Sequence, residues 1–233
     1  YLSKKKFKVI EFDITKSKKQ DLRIYNNKLL RRLIKNSDFI FFLAFDVGGS
    51  RYLKKYQNTF DFISNNMRIM ENTFSILKKE RKKFIFSSSQ MSNMDFSNYG
   101  ILKKIGEKYT ALSNGVIVKF WNVYGVEKDY TKSHVITDFI MKAKITGNIN
   151  MLTTGEEKRD FLYVDDCCSG LYLIMMKYNQ ILKRKKSIDL TTGKYTSILK
   201  IAKIVKKYFN TKKRKIKIIP SKNIDKIQFQ KKK

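Results

Sequence analysis

The sequence predicts an α/β fold, an open, doubly wound parallel sheet with helices on both faces. Three observations carry that prediction. Strand-like and helix-like patterns alternate through the first two thirds of the chain. The apolar run Phe39–Ala44 (FIFFLA) has the length and continuity of a strand buried on both faces. Between it and the next strand, Phe62, Ile63, Asn66, Ile69, Met70, Thr73 and Leu77 recur at helical spacing.

In chain order, Lys8–Phe12 (KVIEF) reads as a strand, followed by Asp13 and a polar, helix-compatible stretch to Lys35. Phe39–Ala44 is the next strand, which Gly48 and Gly49 break before a helix over Thr59–Lys79. Phe84–Phe86 is a short strand that delivers Ser87, Ser88 and Ser89 to its end. After a short loop a helix runs from Tyr99 to about Leu112. Gly115 restarts the pattern, with a strand over Val116–Phe120 that leads into Trp121-Asn122-Val123-Tyr124-Gly125. Ser133 reads as the N-cap of a helix from His134 to about Ile145. Met151-Leu152 and Phe161–Tyr163 read as short strands, and Asp165 and Asp166 as cap and first turn of a helix through Met176. Ser187–Leu190 is a strand, Ser197–Tyr208 an amphipathic helix, and Lys215–Ile219 a last strand before a basic tail. The expected division is 1–125 and 126–233, with elements around 161–177 returning to the first part.

Bulk composition narrows the function classes. The chain has 233 residues, 42% hydrophobic and 13% aromatic, enough for a sizeable core. Its formal charge of +31 invites a nucleic-acid or anionic-membrane partner. The excess is almost all lysine, however, whereas bidentate phosphate and base readout favours arginine. Lysine clusters at 78–83, 183–186 and 212–217 fall at element ends, where charge is usually solvated. Nucleic acid is therefore disfavoured. The cysteines, Cys167 and Cys168, are adjacent and poorly placed to bridge, which suits a reducing, cytoplasmic compartment. No apolar run approaches the roughly 20 residues of a membrane span. His134 is the sole histidine, which excludes a histidine-based metal site or triad and leaves it as a first-turn helix residue.

The stretch that concentrates chemistry is Lys83–Lys103. Tyr99 and Lys103, four residues apart, share one helix face. An ammonium beside a phenol stabilises the phenolate and lowers its pKa, so the phenol can exchange protons near neutrality. Alone the spacing means little: Tyr1/Lys5, Tyr124/Lys128 and Tyr208/Lys212 share it. Only Tyr99/Lys103 opens a helix directly after a strand ending in serines.

In these residues and the motifs around them, the chain resembles the extended short-chain dehydrogenase/reductases, specifically the NAD-dependent nucleotide-sugar epimerase/dehydratase group. The likeness runs from about Lys8 to Ile219. Phe12-Asp13-Ile14 looks like the segment whose Asp contacts the cofactor adenine, although Asp13 also reads as an ordinary turn residue. Phe42-Leu43-Ala44 looks like the motif lining the cofactor, and Asn66 matches the asparagine of the following helix. Ser87-Ser88-Ser89 matches the catalytic strand end, with Ser89 best aligned, and Tyr99 and Lys103 match the catalytic pair. Asn122-Val123-Tyr124-Gly125 looks like the substrate-side motif. Arg159-Asp160-Phe161 with Tyr163-Val164-Asp165-Asp166 looks like the segment whose Arg grips a nucleotide diphosphate.

The resemblance implies a Rossmann-like domain with a small C-terminal substrate lobe, and a redox cycle on the sugar of a nucleotide-diphosphate sugar. Tyr99 would take a hydroxyl proton while hydride passes to NAD (or NADP), with Ser89 bonded to the same oxygen and Lys103 holding the cofactor ribose. Asp13, Ile14, Leu43, Ala44 and Ser87 would line the cofactor, and Asn122, Arg159 and Ser89 the substrate. It also implies a homodimer joined through the Thr59–Lys79 and Tyr99–Leu112 helices. Dehydratases of the family carry acids after the catalytic serine or threonine; Gln90 and Met91 stand here, which points to an epimerase or reductase. Two features depart from the family. The Ser89–Tyr99 loop is about fifteen residues shorter than in the commonest members. The Gly-rich GxxGxxG turn that cradles a pyrophosphate is absent, so the first β-α-β unit is missing. That suggests a piece of a longer product or a degenerate copy. The alternative is a catalytically silent member or structural fragment whose basic surface binds RNA or another polyanion.

Overall fold

The computed structural model describes residues 1–184 and 187–224. Lys185 and Lys186 of the 183–186 cluster, and the basic tail from residue 225, lie outside the described residues. The helices are α1 (Lys28–Lys35), α2 (Ser50–Tyr56), α3 (Phe60–Lys79), α4 (Asn98–Leu112), α5 (Val135–Ile145), α6 (Val164–Met176), α7 (Tyr178–Arg184) and α8 (Ile198–Phe209). The strands are β1 (Phe39–Phe42), β2 (Lys83–Ser89), β3 (Val116–Phe120), β4 (Asn122–Tyr124), β5 (Asn148–Asn150), β6 (Lys158–Tyr163), β7 (Ser187–Leu190), β8 (Tyr195–Ser197) and β9 (Lys217–Ile219).

The chain divides into two compact units. One comprises Tyr1–Asp46, Lys55–Phe120 and Asp165–Leu190; the other Val47–Lys54, Trp121–Val164 and the described residues that follow Leu190.

The first unit is built on a parallel sheet of order β1-β2-β3-β7. The order follows from burial. β2 reads KFIFSSS and is buried from Phe84 onward, as a central strand must be when helices cover both faces. Phe74 of α3 packs on Phe42, Phe84 and Phe86 with ring centroids 5.2, 5.9 and 5.4 Å away. Thr59 caps α3, its side chain accepting from the Phe62 N–H at 3.3 Å. α4 lies close over β2 because Gly106 has no side chain: a Cβ there would come within 2.3 Å of the Phe86 ring.

The expected strand at Lys8–Phe12 is absent. Residues 7–13 carry no regular structure, and Phe7, Val9 and Ile10 are exposed. A strand needs a neighbour for its N–H and C=O groups, and among the described residues the sheet ends at β1. The same absence corrects β1 itself. It spans Phe39–Phe42 rather than reaching Ala44, and only Phe42 is buried, because β1 is an edge rather than an interior strand.

The second unit contains a three-stranded sheet, β4-β6-β8, and the pair β5-β9. Its core joins Phe139 and Ala143 of α5 to Ile198, Ala202 and Val205 of α8, with Ile149, Met151 and Ile216. Ser133 is not the cap of α5. Its hydroxyl donates back to the Tyr130 carbonyl at 2.9 Å, closing a turn, and His134 takes the cap position. The acceptor at that helix start is Glu127, which receives the His134 N–H at 3.0 Å and lies 2.6 Å from its Nδ1. The strand expected at Met151-Leu152 falls slightly earlier, at β5, while α2, α7 and β8 carry no pattern strong enough to predict.

Candidate functional site

The site in the first unit is assembled at the carboxyl end of β2 and the amino end of α4. Strand alternation sends Ser88 to the side opposite Ser87 and Ser89. Ser88 Oγ donates to Glu107 Oε1 of α4 at 2.6 Å. Glu107 is buried, with Lys119 Nζ at 3.3 Å and Lys104 Nζ at 3.5 Å. Burial pushes its carboxyl up, but the hydrogen bond from Ser88 and the two ammonium groups hold it below the ordinary carboxylate value. Ser89 ends the strand, and its Oγ accepts the Met91 N–H at 3.1 Å, which starts the turn Gln90–Asn93.

α4 begins where two more groups fix it. Ser97 caps the helix by accepting the Gly100 N–H at 3.2 Å, and its hydroxyl donates to buried Gln57 Oε1 at 2.9 Å. Gly100 is required because a Cβ would lie 2.3 Å from the Met91 carbonyl oxygen. The first turn of α4 therefore sits directly on the turn after Ser89, which brings the Tyr99 phenol beside the Ser89 side chain. One turn on, Lys103 Nζ donates to the Ser87 carbonyl at 2.7 Å. Ser87 Oγ in turn reaches the Leu43 carbonyl at 3.4 Å, linking β2 to the residues after β1.

Both members of the pair are buried, Tyr99 at 8% and Lys103 at 3% exposure. Burial pushes the Tyr99 phenol up to about 12, opposed by the hydrogen bond to Ser89. Burial alone pushes Lys103 down to about 7. This corrects the expectation that Lys103 lowers the phenol pKa, because in this arrangement the ammonium is directed at the Ser87 carbonyl instead. Desolvation dominates both groups.

The remaining candidates lie elsewhere. Leu43 and Ala44 follow β1 and are exposed. Asp13 and Ile14 sit on an exposed turn, where the Asp13 carboxylate accepts the Thr15 N–H at 2.8 Å and the Thr15 hydroxyl at 2.7 Å. Among the described residues no hydrogen bond ties Asp13 or Ile14 to Ser89, Tyr99 or Lys103. In the second unit, Asn122 of β4 donates to the Asp160 carbonyl of β6 at 3.0 Å, and Arg159 is buried on β6. The adjacent Asp160 accepts the Thr192 N–H at 2.9 Å and hydroxyl at 2.8 Å.

The sequence pattern of the "NAD dependent epimerase/dehydratase family" matches residues 1–188. The chain belongs to that family. A putative UDP-glucose 4-epimerase of Methanocaldococcus jannaschii is 31% identical over 117 residues, 47% of this chain and 36% of that protein. An uncharacterized UDP-glucose epimerase of Bacillus subtilis is 24% identical over 199 residues, 76% of this chain and 60% of its own length. The chain thus spans about a third to three fifths of these relatives. An epimerase structure from Methanothermobacter thermautotrophicus matches with a TM-score of 0.71 at 19% identity, covering 88% of this chain and 65% of that one; at that identity the likeness is one of fold. None of these comparisons supports the polyanion-binding alternative.

NAD is the cofactor that the family name carries, and the residues present fit its reacting end. A phenol, a hydroxyl and an ammonium on one sheet edge are a donor set suited to proton exchange beside a redox centre. The pyrophosphate cradle is not written in this sequence, which lacks the GxxGxxG turn. Three contributors to this candidate site were not visible from the sequence. Gln57 and Glu107 hold α4 and β2 through buried hydrogen bonds, and the Phe45 ring packs against Tyr99 with centroids 5.8 Å apart. Glu107 lies four residues beyond Lys103, one helical turn, a spacing that could have brought it forward.

Proposed function

We propose that this family member epimerises the sugar of a nucleotide-diphosphate sugar through a keto intermediate, with Tyr99 as acid and base. What supports the reading is the buried Tyr99 beside Ser89 with Lys103 one helical turn on, its Nζ 2.7 Å from the Ser87 carbonyl. Tyr99 takes the proton of the reacting sugar hydroxyl at its phenol oxygen and later returns it. Ser89 holds that same oxygen, and Lys103, whose Nζ donates to the Ser87 carbonyl at 2.7 Å, ties α4 to the strand end that carries Ser89. When bound, NAD supplies hydride acceptor and donor chemistry; Ser87, Leu43, Ala44, Tyr99 and Lys103 would hold it, with Asp13 and Ile14 toward the adenine. Asn122 and Arg159 would hold the nucleotide-sugar, the guanidinium suiting a diphosphate. Gln90 and Met91, in place of acids after Ser89, favour an epimerase over a dehydratase.

The test is interconversion of UDP-hexose epimers at saturating NAD, with substrate binding measured separately. Tyr99→Phe should lower turnover by about 10²–10⁴-fold while nucleotide-sugar affinity holds, and Arg159→Ala should weaken that affinity. Unchanged turnover in Tyr99→Phe overturns the reading.

The same reading includes a cytoplasmic homodimer. Two free cysteines suit a reducing compartment, and α3 and α4 expose Phe60, Ile63 and Ile101 for a second copy. A monomer in sedimentation at micromolar concentration would contradict the dimer.

A further inference from the structure

Lys103 is a buried ammonium on α4. Among the described residues no carboxylate pairs with it, and its Nζ donates to a neutral carbonyl, Ser87 O, at 2.7 Å. What surrounds it instead is aromatic. The Phe45 ring centroid lies 3.7 Å from Nζ, that of Phe86 5.1 Å and that of Tyr99 5.8 Å. The Phe45 ring meets Tyr99 nearly at right angles, 78°, so one ring contacts both members of the pair.

The Phe45 backbone is not free to drift. Its neighbour Asp46 is clamped by the fully buried Asn66, whose Oδ1 accepts the Asp46 N–H at 2.7 Å and whose Nδ2 donates to the Asp46 carbonyl at 3.1 Å. Asn66 Nδ2 also donates to the Phe62 carbonyl at 3.0 Å, so the clamp is anchored in α3. A ring fixed over an ammonium in a desolvated site is the arrangement in which a cation–π contact is strongest.

We infer that Phe45 is a positioning residue for the catalytic pair: its ring face holds the Lys103 ammonium in place of a carboxylate and keeps it charged away from water. This rests on the reading of Lys103 as the cation of that pair. A carboxylate in the same place would neutralise the ammonium. A ring stabilises the charge without cancelling it. Other ionisable groups around the pair are already engaged. Glu107, one turn along α4, faces Ser88, Lys104 and Lys119, and Asp46 beyond Phe45 faces Asn65 at 3.5 Å and Arg23. From β2 the Phe86 ring and the Ser87 carbonyl approach, neither of them ionisable.

The experiment is a pH titration of Lys103 by NMR of the full chain with isotope-labelled lysine, its signal assigned by loss in Lys103→Met. Phe45→Leu keeps an apolar side chain and removes the ring. The protonation constant of Lys103 should then fall about tenfold, equivalent to about 1.4 kcal/mol, whereas Phe45→Tyr should retain it. If Phe45→Leu does not fold, pentafluorophenylalanine at position 45 keeps the shape, reverses the ring quadrupole and should produce the same fall. A constant unchanged in Phe45→Leu or in the fluorinated protein, or lowered equally in Phe45→Tyr, overturns the inference. The readout needs neither cofactor nor turnover. Failure here leaves the Tyr99 reading standing, and an inactive enzyme with the expected titration overturns that reading alone.

Discussion

Two segments of the first unit carry motif residues of the same family and meet opposite fates. β2 and the start of α4 form a closed, buried network in which Ser87, Ser88 and Ser89 each have a separate partner. Residues 7–14 have the composition of a strand and the turn Asp that should follow it, yet they form no strand and expose Phe7, Val9 and Ile10. The difference lies in neighbours rather than in local propensity. β2 has β1 and β3 on either side and α4 above it, whereas among the described residues no strand lies beyond β1. A motif becomes a site only where its packing partners are in the same chain.

That contrast can be broken at either end. Gly106→Ala drives a Cβ to 2.3 Å from the fully buried Phe86 ring. It should destabilise the unit by about 1–3 kcal/mol by denaturant unfolding, outweighing alanine's better helix propensity. Lys103→Met should remove a pH dependence. Lys103 titrates near 7 when folded, below its unfolded value of 10.5. Between those pH values the unfolded chain binds the extra proton, so its burial cost is full below about 7 and relieved as pH rises toward 10.5. Wild-type stability should therefore gain up to about 1.4 kcal/mol per pH unit in that window relative to Lys103→Met; parallel curves would contradict the burial of a lysine there. Asp13→Ala, by contrast, removes only exposed turn bonds to Thr15, and should stay within about 0.5 kcal/mol of wild type in the same unfolding assay.

The sequence made much of this fold legible, and the reasons it stopped are physical. Helix α3 was readable from its spacing, and β2 with α4 from an apolar run, three serines and a Tyr/Lys pair in a context the other three pairs lacked. The strand at Lys8–Phe12 was misread because periodicity reports which residues suit a strand, not whether a partner exists to pair with it. Ser133 was misread as a cap because its hydroxyl serves the preceding turn, and Glu127 supplies the acceptor instead. Phe45, Gln57 and Glu107 were invisible for a different reason. Each acts on a residue distant in sequence, so tertiary placement alone gives it a role. The raised Tyr99 and lowered Lys103 likewise arise from burial, which no spacing rule expresses.

Native-state amide hydrogen exchange tests the contrast most directly, because it reads both segments in one experiment. Amides of Phe84–Ser89 should exchange only with global unfolding, while those of Val9–Phe12 should exchange at rates close to an unstructured peptide. Comparable protection in the two segments would contradict the account.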